Sequence, residues 1–139
     1  MILLDTNVVS ELMRPHPSVR VVDWVGRQAA LRLYLSSISE AELRYGVEIL
    51  PEGSRRLELR AAVEGLLRED FAGRILPFES DAARAYAPIA ASRRVAGLPI
   101  SRPDCQIAAI ARSVGASVAT RDTSGFEGCG VDVVNPWSE

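Results

Sequence analysis

The chain opens on a short apolar run that ends in a carboxylate and two helix-starting residues: Ile2-Leu3-Leu4-Asp5-Thr6-Asn7. Three consecutive apolar residues suit a strand buried on both faces, as in the middle of a parallel sheet. Thr6 and Asn7 are favoured at helix starts. Val8, Val9, Leu12 and Met13 then recur at helical spacing. Asp5 therefore falls where a central strand becomes a helix. In open α/β sheets that carboxyl edge is where ligands bind. Taken alone, Asp5 reads equally well as a turn or capping aspartate. Other carboxylates at the same edge decide between the two readings.

The remaining chain alternates strand and helix signals. Pro15 and Pro17 end the first helix near Arg14. Ser18 opens a second, with Val19, Val22 and Val25 as its inward stripe and Trp24 beside them. Leu31, Leu33 and Leu35 alternate with Arg32 and Tyr34, which predicts a second strand. Ser39 opens a third helix, limited by Pro51. A fourth spans 54–70, with Leu59, Val63, Leu66 and Leu67 inward. After a third strand at 74–78, Ser80 and Asp81 cap a fifth helix that carries Ala82, Tyr86, Ile89 and Ala90 on one side and ends near Gly97. Ser101-Arg102-Pro103-Asp104 opens a sixth, with Ile107, Ala108, Ala111 and Val114 inward and Gly115 as its stop. Strands at 117–120 and 131–134 complete the set. The alternation predicts one α/β domain over 1–139, with three layers and a mainly parallel sheet of about five strands.

Composition narrows the chemistry. With 139 residues, 47% hydrophobic, and a net charge of -2, the chain has room for a real core and no coat of basic charge. No apolar run approaches the roughly 18 residues of a membrane span, and strand residues begin where a signal peptide would lie. Cys105 and Cys129 lack zinc-type spacing, so a reduced, cytoplasmic protein is expected. Cys105 reads as a small core residue rather than a nucleophile. All sixteen basic residues are arginine. His16, the single histidine, lies between two prolines, which excludes a histidine-pair nuclease and leaves no serine triad. No G-K-[ST] sequence exists, so a Walker-type loop is excluded.

Four carboxylates are then candidates for one site. Glu42 and Asp104 each stand three residues after a serine, Ser39 and Ser101, a pattern that helix capping explains for each singly. Asp122 follows the fourth strand in Thr120-Arg121-Asp122. In a parallel sheet, Asp5, Glu42, Asp104 and Asp122 converge on one edge. Such a cluster repels itself and needs protons or a cation. Oxygen-only ligands favour Mg²⁺ or Mn²⁺, and a hard divalent ion in an acidic cleft suits phosphodiester hydrolysis. Asn7 and Thr120 are neutral groups placed to orient a ligand. Arg44 and Arg121, sequence neighbours of Glu42 and Asp122, are candidates for phosphate contact.

These residues resemble the PIN-domain ribonucleases, in particular the toxins of VapBC-type and FitAB-type toxin–antitoxin pairs. The matching pieces are Leu4-Asp5-Thr6-Asn7, Ala41-Glu42-Leu43-Arg44-Tyr45-Gly46, Asp104-Cys105-Gln106-Ile107-Ala108-Ala109, and Thr120-Arg121-Asp122 followed by Phe126. They span nearly the whole chain in order. The resemblance implies a metal-dependent endoribonuclease of α/β/α architecture, with Asp5, Glu42, Asp104 and Asp122 at its metal site. Related sequences often carry Asn where Asp122 stands and Asp just before the phenylalanine. Here that later position is Gly125, so the fourth carboxylate is placed on Asp122. Asp81 is a further candidate at the periphery, although capping accounts for it. An antitoxin partner, an RNA substrate, a homodimer and a higher toxin–antitoxin assembly are also implied. Val8, Val9, Leu12, Met13, Val19, Val21, Val22, Trp24 and Val25, together with Leu57, are more apolar residues than single helix faces need. They predict a groove for an amphipathic antitoxin helix. Two other readings stand beside this one: an inactive PIN-like binding module, and a 5′-nuclease acting on structured DNA. Four retained carboxylates favour an enzyme, and the absence of an added helical arch favours RNA.

Overall fold

The computed structural model describes residues 1–139. Five parallel strands form one sheet in the order β3-β2-β1-β4-β5. They are β1 (Ile2–Leu4), β2 (Leu33–Ser36), β3 (Ile75–Leu76), β4 (Ser117–Ala119) and β5 (Val133–Val134). Six helices cover it: α1 (Thr6–Leu12), α2 (Val19–Arg27), α3 (Ser37–Glu48), α4 (Ser54–Gly65), α5 (Ser80–Val95) and α6 (Arg102–Val114).

β1 is central because its side chains are apolar on both faces. Ile2 and Leu4 join a core with Val8, Val9, Val21, Trp24, Leu43 and Val63, contributed by α1 to α4. Leu3 faces the other way, onto a second core with Ile89, Ile107, Ala108 and Val118 from α5, α6 and β4. The period of two along a strand thus divides the interior into two helix layers around the sheet. Strands are added outward from β1 to β3, and the chain then crosses back to place β4 on the other side of β1. That reversal between β1 and β4 is the topological switch point of an open α/β sheet.

Several local expectations need correction. α3 begins two residues earlier than predicted: Ser36 is its N-cap, accepting the Ser39 N–H at 3.0 Å. Leu31 is not in a strand. It lies in a short 3-10 turn, Ala30–Arg32, and is exposed. On α2 the inward residues are Val21 and Trp24, whereas Val19 and Val22 point to solvent. Of the predicted stripe only Val25 packs against the core. Val114 is likewise exposed at the end of α6. The fourth helix does run to Asp70, but its last turn, Leu66–Asp70, is π-helical. α5 has Glu79 as N-cap with no side-chain capping bond, and Asp81 instead pairs with Arg84 on the surface. The predicted end of α6 holds: Gly115 adopts φ 70°, the left-handed conformation that closes a helix.

Candidate active site

The switch point becomes a site through the residues that follow each strand. The Asp5 N–H donates to Ala119 O at 2.9 Å, extending the β1–β4 ladder to the strand ends. Asp5 is then the N-cap of α1, its Oδ1 accepting the Thr6 N–H at 2.8 Å. Its other oxygen, Oδ2, accepts from Thr120 Oγ1 at 2.8 Å and from Asn7 Nδ2 at 3.4 Å. Thr120 is fully buried and uses every bonding site it has. Besides donating to Asp5, it accepts from Asn7 Nδ2 at 3.2 Å and from the Asp122 N–H at 3.1 Å. Asn7 Oδ1 in turn accepts the Arg121 N–H at 3.3 Å. One network therefore fixes the ends of β1 and β4 and the segment that carries Asp122.

Glu42 reaches the same place from α3. Its Oε1 lies 2.8 Å from Thr6 Oγ1, which is also 2.8 Å from Ser39 Oγ. Thr6 donating to the carboxylate and Ser39 donating to Thr6 satisfies both contacts. Because Ser36 caps α3, Glu42 is not the capping-box residue its spacing suggested. Its carboxylate is directed across to α1. Asp104 stands in the first turn of α6, where its N–H is capped by Ser101 Oγ at 3.3 Å and its carboxylate borders the cleft. Asp122 Oδ1 accepts from Ser124 Oγ at 3.3 Å and the Gly125 N–H at 3.2 Å, closing a tight turn. Gly125 leaves room for that carboxylate. A Cβ would lie 2.9 Å from Asp122 Cγ and overlap Oδ2.

The four carboxylates line one open cleft of about 590 Å³, with Thr6, Asn7, Ser10, Glu11, Arg14, Arg121 and Trp137 as its remaining walls. Asp5 is 6% exposed, and burial raises its pKa above the usual carboxylate value. Hydrogen bonds from Thr120 and Thr6 oppose that rise, while the nearby Asp104 and Glu42 carboxylates add to it. No three Asp, Glu, His or Cys side chains gather closely enough to enclose an ion unaided. An open border of oxygen donors suits a cation that keeps part of its water shell, which is the habit of Mg²⁺.

Arg44 is not brought to the cleft. It pairs with Glu40 at 2.9 Å and with Glu64, on the side of α3 facing α4. Two residues along a helix point in divergent directions, so adjacency to Glu42 in sequence misled. Asp81 also lies elsewhere, beside Pro77, Ser113 and Val114. Thr6, Glu11, Arg14 and Trp137 were not foreseen. Thr6 had a signal, a hydroxyl between two candidate site residues; Trp137 had none. Cys105 is buried against α5, and burial pushes its thiol up to about 11, consistent with an inert core residue.

With this geometry in hand, comparison with known proteins is direct. The family model described as "PIN domain" matches residues 2–128. A curated relative, "VapC ribonuclease Y4jK" of Sinorhizobium fredii, is 47% identical over 137 residues, covering 99% of this chain and 98% of its own. "Toxin FitB" of Neisseria gonorrhoeae is 45% identical over 139 residues, covering 100% of both chains. Among solved structures, "Crystal Structure of FitAcB from Neisseria gonorrhoeae" superposes with a TM-score of 0.94 at 45% identity, again over 100% of both chains.

Proposed function

The chain belongs to the PIN-domain family, and from that premise we propose that it is a Mg²⁺- or Mn²⁺-dependent endoribonuclease serving as the toxin of a toxin–antitoxin pair. The observation that carries the reading is the convergence of Asp5, Glu42, Asp104 and Asp122 on one cleft at the β1–β4 switch point. Asp5, Asp104 and Asp122 are the residues that would hold the cation, with Glu42 beside them. When bound, such an ion supplies Lewis acidity to the phosphoryl oxygen and lowers the pKa of a water.

The protein's own groups do the rest. Thr120 and the Thr6 N–H orient Asp5 and favour its ionised form, offsetting part of the penalty of burial. Thr6 fixes the Glu42 carboxylate, and Asn7 and Thr120 lock the relative positions of Asp5 and Asp122. Arg14 and Arg121 are the cationic groups on the cleft wall, available to phosphates. Total RNA incubated with the purified chain should be cleaved with Mg²⁺ or Mn²⁺ and left intact with EDTA. Metal-independent cleavage, or none in any buffer, would sink the reading.

An antitoxin has a place to bind. An apolar groove of about 480 Å³ lies between α1, α2 and the α4 end, lined by Leu12, Met13, Val25, Ala62, Leu66 and Phe71 among others. Trp24 is core rather than groove, and Leu57, although exposed, is not part of the lining. Met13 and Leu66 are therefore the residues to change. The product of the neighbouring open reading frame should co-purify with the parent chain and be released by Met13→Glu. No helix is long and apolar enough to cross a membrane.

A further inference from the structure

The cleft wall carries one hydrophobic side chain among eleven residues, and it is Trp137. Its placement is firmly built. Asn135 Oδ1 accepts the Trp137 N–H at 2.9 Å, Pro136 before it is buried, and the indole packs along the rim of the α1–α4 core. Over that ring lies the Arg121 guanidinium, 5.2 Å from its centroid. The Arg121 backbone is tied to Asn7 at the centre of the site. Unlike Arg14, Arg44, Arg56, Arg60, Arg68 and Arg84, Arg121 has no carboxylate partner. A stacked, unpaired guanidinium therefore stands on the wall of an otherwise acidic cleft.

A ring–guanidinium pair of this kind offers planar faces as well as charge. Nucleobases stack on aromatic rings and on guanidinium planes with little regard to sequence, because every base has a π-face. Paired bases keep their faces inside the helix, so only an unpaired nucleotide can use such a surface. We propose that Trp137 and Arg121 form a stacking platform for the base of the nucleotide beside the scissile phosphate. The inference rests on the ribonuclease reading and adds a subsite to it. Trp137 lies under the Arg121 guanidinium, and together the pair offers π-surface and a positive charge to the strand entering the carboxylate centre.

The test uses a dye-labelled single-stranded hexaribonucleotide and six copies, each with one abasic residue, bound to the Asp5→Asn protein in Mn²⁺ so that the strand stays intact, with affinity read from the dye's anisotropy in every variant. The other tryptophan, Trp24, is 5% exposed, so fluorescence quenching on binding reports Trp137. Quenching is expected with the intact strand. Trp137→Ala and Trp137→Leu, the second retaining an apolar contact with the core, should each weaken binding about tenfold. Trp137→Phe should largely preserve it. At one abasic position the parent should lose the same factor, and the tryptophan variants should lose nothing more. Equal loss by the variants on all seven strands, saturable binding without quenching, or no binding at all overturns the platform. Failure of the ribonuclease reading registers separately, as absence of metal-dependent cleavage by the parent chain or cleavage by the Asp5→Asn protein.

Discussion

Asp5 links stability to chemistry through a single buried carboxylate. Its pKa in the folded chain lies above the ordinary aspartate value of 3.8, chiefly because burial penalises the charge. Ionisation therefore costs the folded state more than the unfolded one. That cost is absent below pH 3.8 and complete above the folded pKa, so it weighs on the metal-free protein at neutral pH. Asp5→Asn removes the charge and keeps the size. In EDTA near neutral pH it should unfold at the same or higher urea concentration than the parent, and the gain should vanish in acid below 3.8. Its cleavage rate should fall at least about a hundredfold, as expected when a metal-binding charge is lost. Gly125 makes a second prediction. Gly125→Ala forces the Asp122 carboxylate out of its turn, so metal-dependent activity should drop about tenfold while the melting temperature changes little. An alanine enzyme of parental activity would show that Asp122 has no fixed place in the reaction. Both residues could be singled out in the sequence, but not their contacts. Nothing in Thr120-Arg121-Asp122 reveals that Thr120 donates to a carboxylate 115 residues away.

At the level of elements, α6 was the most legible. Ser101, Asp104 and Gly115 bracket α6 as their chemistry requires. The start of α3 was misplaced because Ser36, Ser37 and Ser39 are all plausible caps, and only the end of β2 selects Ser36. α2 is short, and its valines occupy several faces, so periodicity alone left the phase open. Arg93 was invisible to the sequence reading. It projects from the last turn of α5, is 7% exposed, and donates to Ser124 O at 3.2 Å and Glu127 O at 2.8 Å. One guanidinium thereby ties α5 to the turn that follows Asp122. Arg93→Met should cost about 2 kcal/mol, the order expected when buried carbonyls lose a charged donor. It should also loosen segment 122–129, seen as faster amide exchange there than in β1. Unchanged exchange would assign the bonds no bracing role. The neighbouring thiols call for a chemical check. Cys105, held near 11 by burial, should react with iodoacetamide at pH 8 far more slowly than the same thiol after unfolding in urea.

The whole molecule explains why the site was readable in outline. Once strands alternate with helices, a parallel sheet is the economical solution, and its carboxyl edge collects whatever follows each strand. Asp5, Glu42 and Asp122 could therefore be grouped without knowing the strand order, whereas Asp104, at the start of a helix that follows another helix, joined them only as a carboxylate in a first helical turn. The order itself, and the position of Trp137 opposite the carboxylates, depend on packing across the sheet and were not legible. At this scale the metal should act as a folding ligand. Mn²⁺ at a hundred times its dissociation constant should stabilise the parent by about 2.7 kcal/mol, raising the melting temperature, with a smaller rise for Asp5→Asn. Equal shifts in both proteins would place the ion elsewhere. The switch-point topology also sets a clock on the ribosome. β1 is made first, yet its neighbour β4 and the Thr120 hydroxyl arrive 115 residues later. At about 5–20 residues per second that is roughly 6–23 s of synthesis. Throughout that interval the nascent chain carries Asp5 and has no cleft to put it in, so the site assembles only after β4 has been translated.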